Sequence, residues 1–185
     1  MAQLFDQLEP EHIEFIDRQR LFFVATATDG AHPNLSPKAY CSLAVLDPRR
    51  LIHVDWPGSG NQTATHIAEH GRVTLMFLSF ERAPLILRVF GSAKVLHRRS
   101  REFAALVPLL GERVGPHTRQ MFDIAVERVQ SSCGYAVPLF DYRGERDTLR
   151  RYHDRKHDEV DWDAYLDERT RPQAPVVTPS RRRAG

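Results

Sequence analysis

Three short stretches carry the residues best suited to chemistry. Residues 58–63 read Gly-Ser-Gly-Asn-Gln-Thr and run into a helix-patterned segment. That is more hydroxyl and free backbone amide than turning a chain requires. Unpaired amides at a helix start, together with the helix dipole, converge on one spot and attract an anion. The plainer alternative is a capped helix after a flexible turn. Residues 36–38 read Ser-Pro-Lys inside a strand-patterned run. Pro37 cannot donate a ladder hydrogen bond, so it marks a sheet edge or a place where a planar ligand replaces a strand. Lys38 then faces an anion, the electron-rich edge of a ring, or solvent. Arg88 lies in Leu-Ile-Leu-Arg-Val-Phe-Gly, and a charge among apolar neighbours needs a partner. Glu81 and a bound phosphate are the two candidates.

Other reactive residue types read as structural. His153 and His157 are four apart, on one face of a helix, but a zinc site needs a third ligand and shielding. Their polar surroundings predict a solvated face. Cys133 has no neighbouring charge to lower its pKa and reads as a packed thiol at a strand end. The Gly-Ser-Gly stretch lacks the spacing of a nucleophile elbow and of a dinucleotide fingerprint.

The elements that must position these residues are mostly strands. A helix is expected over about 10–20, with Pro10 in its first turn and Ile13, Phe15 and Ile16 on one side. LFFVATAT, then Asp-Gly, then NLSPKAYCSLAVL predicts a β-hairpin, and DPRR turns into LIHVDW, giving a meander. NQTATHIAEHG suits a short helix capped by Ser59 or Asn61 and stopped at Gly71. RVTLMFLSF and LILRVFGSAKVLH are strands, the second bent at Gly91. RSREFAALVPLL is helical, and FDIAVERVQSSCG is a strand with Phe122, Ile124 and Val126 on one face. Two polar helices follow. Six or so antiparallel strands with helices around them make a mainly β fold, a small β-barrel with peripheral helices.

With 185 residues, 42% of them apolar and 27% charged, the chain fits one domain over 1–170. Residues 171–185, Pro-rich and then Arg-rich, are expected to be a disordered basic tail. A formal charge of +2 argues against nucleic acid, and no apolar run reaches the roughly 20 residues of a membrane span. Acidic residues at the N-terminus and two unclustered cysteines, Cys41 and Cys133, point to the cytoplasm.

The succession S-P-K, G-S-G-N-x-T, G-R-x-T-L-M-F and S-C-G-Y-x-V-P-L with G-E-R-D-T-L, over about residues 20–150, resembles the pyridoxamine 5′-phosphate oxidase-like flavoproteins. The resemblance implies a homodimer of six-stranded antiparallel split barrels with FMN in a groove at the interface. By position, Ser36, Pro37 and Lys38 run along the isoalloxazine edge, and Asp55 and Trp56 end the strand beneath it. Ser59, Gly60, Asn61, Gln62 and Thr63 hold the ribityl phosphate, Arg88 reaches the cofactor from the next strand, and Ser132 and Cys133 approach from the other subunit. Hydride transfer between the flavin and an unidentified small molecule is the implied activity.

The chain also departs from that pattern. Gln62 and Thr63 stand where pyridoxamine phosphate oxidases place Arg and Lys, and Ala39 replaces a glycine. The Arg-x-His pair that grips substrate phosphate is missing from GYAVPLFDY, and RYHDR at 151–155 lies in a helical pattern. Pyridoxamine phosphate is therefore disfavoured as substrate. Two alternatives keep the fold: a reductase using the deazaflavin F420, and a protein that stores or senses flavin or haem, with His66 the nearest axial ligand.

Overall fold

Residues 22–26 and 72–78 alternate buried and more exposed side chains, the period-two pattern of strands with one face on a core. The computed structural model describes residues 2–39 and 42–177. Its strands are β1 (Gln3–Phe5), β2 (Phe22–Thr26), β3 (Asn34–Lys38), β4 (Leu43–Asp47), β5 (Arg50–Asp55), β6 (Arg72–Leu78), β7 (Ile86–His97) and β8 (Gln120–Ser132). The helices are α1 (Pro10–Arg18), α2 (Gln62–His70), α3 (Arg101–Leu110), α4 (Thr148–Glu159) and α5 (Trp162–Thr170). All strand pairs are antiparallel, in the order β3-β2-β6-β7-β8-β5-β4, with β1 added to β8. β3 and β4 are the two edges, so the barrel stays open between them. This is the mainly β, split-barrel class expected from the sequence.

The pairing differs from a simple meander. NLSPKAYCSLAVL is not one strand but β3 and β4, which lie at opposite edges of the sheet; Tyr40 and Cys41 between them are outside the described residues. With the short β1, this brings the strands among the described residues to eight rather than six. β6, β7 and β8 insert between the two N-terminal hairpins, a choice that local alternation leaves open. Asp29-Gly30 sits within a longer connection, residues 27–33, where Gly30 takes φ +72°.

Two apolar clusters hold the fold. Phe22, Val24, Leu75, Phe77, Leu87, Val89, Phe122 and Ile124 fill the barrel, closed by Ile67 of α2 and by Phe15 and Ile16 of α1. On the other face of β5 and β8, Ile52, Val54 and Met121 pack against Phe103, Leu106 and Leu110 of α3. β5 is thus covered on both sides. Each such buried side chain contributes about 1.5–3 kcal/mol of transfer free energy. α3 is capped by Ser100, whose hydroxyl accepts the Phe103 amide, and α2 ends at Gly71 with φ +69°.

β7 bends at a bulge between Phe90 and Gly91 where it crosses β8. A Cβ on Gly91 would collide with the backbone carbonyl of Ala125. Gly91→Ala is therefore expected to cost about 1–3 kcal/mol through overpacking. The check is a lower urea midpoint at unchanged slope; an unchanged midpoint would show that the bulge relaxes freely.

Candidate functional site

The chemistry-bearing residues converge where β5 ends, α2 begins and the edge strand β3 passes by. A cavity of about 390 Å³ opens there. Ser36, Pro37 and Lys38 of β3 line it, with Asp55 and Trp56 at the end of β5 and Ser59, Gly60, Asn61, Gln62 and Thr63 from the loop. The structure therefore brings together ten of the residues singled out in the sequence. The first helical bond of α2 runs from the Thr65 amide to the Asn61 carbonyl, so the amides of Gln62, Thr63 and Ala64 precede it.

Asp55 is the electrostatic centre, with only 2% of its surface exposed. Its Oδ2 accepts from Arg119 Nε at 2.8 Å and from Gln120 Nε2 at 2.8 Å, and its Oδ1 pairs with Lys38 Nζ at 3.4 Å. Burial alone would raise the carboxyl pKa, but Arg119 and then Lys38 outweigh it and hold it down at about 2. Two cations face one carboxylate, leaving an excess positive charge at the cavity. Arg119 also donates from Nη2 to the Gly60 carbonyl at 2.9 Å, so it ties the loop to β5. The Ser36 hydroxyl is buried and makes no hydrogen bond within the described residues.

Beside Asp55, His53 is buried next to Phe22 and Phe122. Burial, reinforced by the Lys38 charge, pushes its pKa down to about 4.

Asn61 does not cap α2 with its side chain, as the sequence had indicated. Its Nδ2 donates to the carbonyls of Thr170 at 2.9 Å and Arg171 at 3.3 Å, and its Oδ1 accepts from Gln120 Nε2 at 2.7 Å. Gln120 takes the oxygen that a side-chain cap would use. Residues 171–177 are accordingly bonded to the body of the protein, contrary to the disorder expected from 171 onward; 178–185 lie outside the described residues.

Three candidates lie elsewhere. Arg88 points to the outer face of the sheet, and its Nη1 donates to Ser132 Oγ at 3.3 Å. Its expected partner Glu81 is not engaged, because the Ser132 hydroxyl on neighbouring β8 is within reach instead. Register puts Arg88 in one cross-strand row with Met76, Phe23 and Pro37, three strands from β3. Cys133 is exposed just past the end of β8, not packed, because the chain leaves the sheet there. Arg88, Ser132 and Cys133 therefore do not line the cavity of their own chain.

The histidines also differ from expectation. His66 is 1% exposed and engages Thr26 Oγ1 through Nδ1 at 3.2 Å; it is enclosed between α2 and the sheet, with no open face for a haem. His153 is fully buried, since α4 docks by this face onto the barrel. Its ring contacts Trp56, His117 and Trp162, and burial, then the His117 charge, pushes its pKa down to about 4. Only His157 keeps the solvated position expected of both, with its ring 5.5 Å from Trp162.

Sequence reasoning missed Arg119, Gln120, Asn34 and Gln173, which all line or brace the cavity. Arg119 and Gln120 stand immediately before an alternating apolar run, and a polar pair at a strand start is the one available signal. Gln173 lies in a Pro-rich tail with no local signal at all.

Residues 8–133 match the family described as Pyridoxamine 5′-phosphate oxidase. A pyridoxamine 5′-phosphate oxidase family protein of Aspergillus flavus, ustO, is 36% identical over 151 residues, covering 80% of this chain and 61% of that protein. The chain thus spans less than two thirds of the length of this curated relative. Among solved structures, a histidine-to-alanine variant of HupZ from Group A Streptococcus aligns with a TM-score of 0.55 and 26% identity, over 67% of this chain and 98% of that one. HupZ without that substitution aligns at 0.53 and 24%, over 66% and 92%, a likeness of fold.

Proposed function

Because the chain belongs to the pyridoxamine 5′-phosphate oxidase family, we propose that it is an FMN-dependent oxidoreductase. It acts on a small molecule other than pyridoxamine phosphate and works as a homodimer with the cofactor at the interface. The observation that carries the proposal is the cavity in which the start of α2 faces Lys38 and Arg119. A phosphate there meets the amides of Gln62 and Thr63, the hydroxyls of Ser59 and Thr63, and an excess positive charge. The basic residues absent from the loop are replaced from β3 and from the start of β8.

FMN, when bound, supplies hydride or electron transfer at its isoalloxazine ring. The chain's own part is to bind and orient. Pro37, lacking an amide hydrogen, leaves the outer edge of β3 free of one donor, and Lys38 holds a positive charge beside it. Asp55 keeps Lys38 aimed into the cavity. The buried Ser36 hydroxyl is a further donor for the ligand.

The homodimer is supported by the outer sheet face. Phe23, Met76 and Phe90 are half-buried there and Leu35 is 63% exposed, an apolar strip reaching from Pro37 to Arg88. A second copy covering this strip would bring its Arg88 and Ser132 toward the first copy's cavity. No helix of the described residues is long and apolar enough to cross a membrane.

The test is the visible spectrum of the purified protein before and after FMN, with released ligand identified by mass and the oligomer by sedimentation. The expected result is a two-banded flavin spectrum, micromolar or tighter binding, and a dimer. Lys38→Ala should weaken FMN binding by about tenfold, roughly the worth of one charge-assisted hydrogen bond. A deazaflavin band or a haem Soret band would replace FMN with F420 or haem. Failure to take up FMN at micromolar supply would end the proposal.

A further inference from the structure

The last turn of α5 and the chain beyond it double back over the loop at the start of α2. The Arg169 carbonyl accepts from Arg119 Nη1 at 2.6 Å, and the Thr170 and Arg171 carbonyls accept from the Asn61 side chain. Gln173 goes further in. Its Oε1 accepts the Asn61 backbone amide at 2.7 Å, and its own amide donates to Thr65 Oγ1 at 3.0 Å. The Gln173 carboxamide fills the space that a side chain on Gly60 would otherwise take. Beyond it the His32 amide donates to the Val176 carbonyl at 2.8 Å, and Ala31 pairs with Val177.

We propose that residues 169–177 form a strap that competes with ligand, in which the Gln173 carboxamide oxygen occupies the place of one phosphate oxygen. A phosphate monoester enters by displacing it. This inference rests on the anion site proposed above. Three features support competition. The Asn61 amide is one of the donors that an anion at this helix start would use, and Gln173 already takes it. An amide oxygen is a neutral acceptor, whereas hydrogen bonds to a phosphate are charge-assisted and roughly twice as strong, so the ligand can win. Gln173 is exposed and only Pro175 of residues 171–177 is even half-buried, so release uncovers little apolar surface.

A tethered competitor lowers apparent affinity by the fraction of molecules in which the strap is released. The body of the site and the strap are separable in sequence as well: the family match ends at residue 133, and the strap lies beyond it.

The experiment uses full-length Gln173→Ala and Gln173→Glu with two probes, FMN followed by flavin fluorescence and inorganic phosphate followed by the NMR shift of the Asn61 amide. Gln173→Ala should bind FMN about three- to tenfold more tightly, and Gln173→Glu at least tenfold more weakly, because a carboxylate both holds the amide better and repels phosphate. Inorganic phosphate should move the Asn61 resonance at lower concentration in Gln173→Ala than in the unsubstituted chain. Equal FMN affinities in all three proteins would overturn the strap while leaving the cofactor proposal intact. Weaker binding in Gln173→Ala would instead make Gln173 a cofactor ligand and also overturn it. If none of the three binds FMN, the function proposal fails by itself, and the phosphate titration decides the strap: no difference between the proteins rejects it.

Discussion

Arg119→Met should lower the stability of the fold by about 3–5 kcal/mol, the cost of stranding one member of a buried ion pair. Asp55 would be the stranded group. Its side chain is 3% exposed and that of Arg119 is 4%, so water replaces neither partner. Lys38 cannot make up the loss, because its ammonium stands 3.4 Å from the other carboxylate oxygen and is itself partly solvated. The same substitution also removes the donors to the Gly60 and Arg169 carbonyls, so the loop and the strap lose an anchor together. Lys38→Met should cost much less, about 1 kcal/mol or below, since it breaks a longer and wetter contact. Urea unfolding of the two variants, with Asp55→Leu/Arg119→Met as the third, reads this directly. The double variant should recover part of the loss, because no lone charge remains buried. A cost for Arg119→Met no larger than that for Lys38→Met would mean that water reaches Asp55, and that the cation at the cavity is not fixed.

What the sequence made legible follows contact distance along the chain. Ser36-Pro37-Lys38 and the loop Ser59–Thr63 were readable because a proline in a strand and a donor-rich turn before a helix declare themselves within a few residues. The stop at Gly71 and the bend at Gly91 were readable for the same reason. Arg119 was not. It reaches the site because β8 pairs with β5 so that Gln120 stands opposite Asp55, and its own amide donates to the Asp55 carbonyl. That register is fixed by two cores burying both faces of β5, which no window of sequence contains. The meander failed similarly: alternation told which segments are strands, but not that β6, β7 and β8 separate the two hairpins. His153 misled for a different reason. Its helix is mostly polar, and its burial comes from a few rings, with Trp56 and His117 supplied by distant segments and Trp162 by the next helix. Gln173 is the extreme case, since the strap is held mostly by its backbone carbonyls and amide and by the one carboxamide oxygen of Gln173.

Acid should weaken the fold in two separate windows, and His53 sets the first. Its Nδ1 lies 3.1 Å from the Ser42 carbonyl, which can only accept, so the neutral ring carries its proton there. The second proton would have to go on Nε2, which is buried between Phe22 and Phe122 with no hydrogen-bond partner among the described residues. Burial opposes that charge most, Lys38 and Arg119 add to the opposition and Asp55 offsets only part, so the folded pKa stands at about 4 against an ordinary 6.5. A depressed histidine pKa means that the unfolded chain takes the proton first. Stability is therefore complete above pH 6.5 and falls as pH drops from 6.5 to about 4, by about 3 kcal/mol at full extent. His153, held down by burial and then by His117 despite Asp154, acts in the same direction and the same window. Asp55 sets the second window. Its folded pKa of about 2 lies below the ordinary 3.8, so it stabilises the fold above that value, and the contribution disappears as pH falls through about 2. Urea midpoints at pH 7.5, 4 and 2 should step down twice. His53→Leu should shrink the first step to the part that His153 contributes while leaving the second, because a leucine meets the same phenylalanines with nothing to protonate. A midpoint that stays constant between pH 7 and 4.5 would show that Nε2 has a water-filled route to solvent, and that the wall of the cavity behind Lys38 is open.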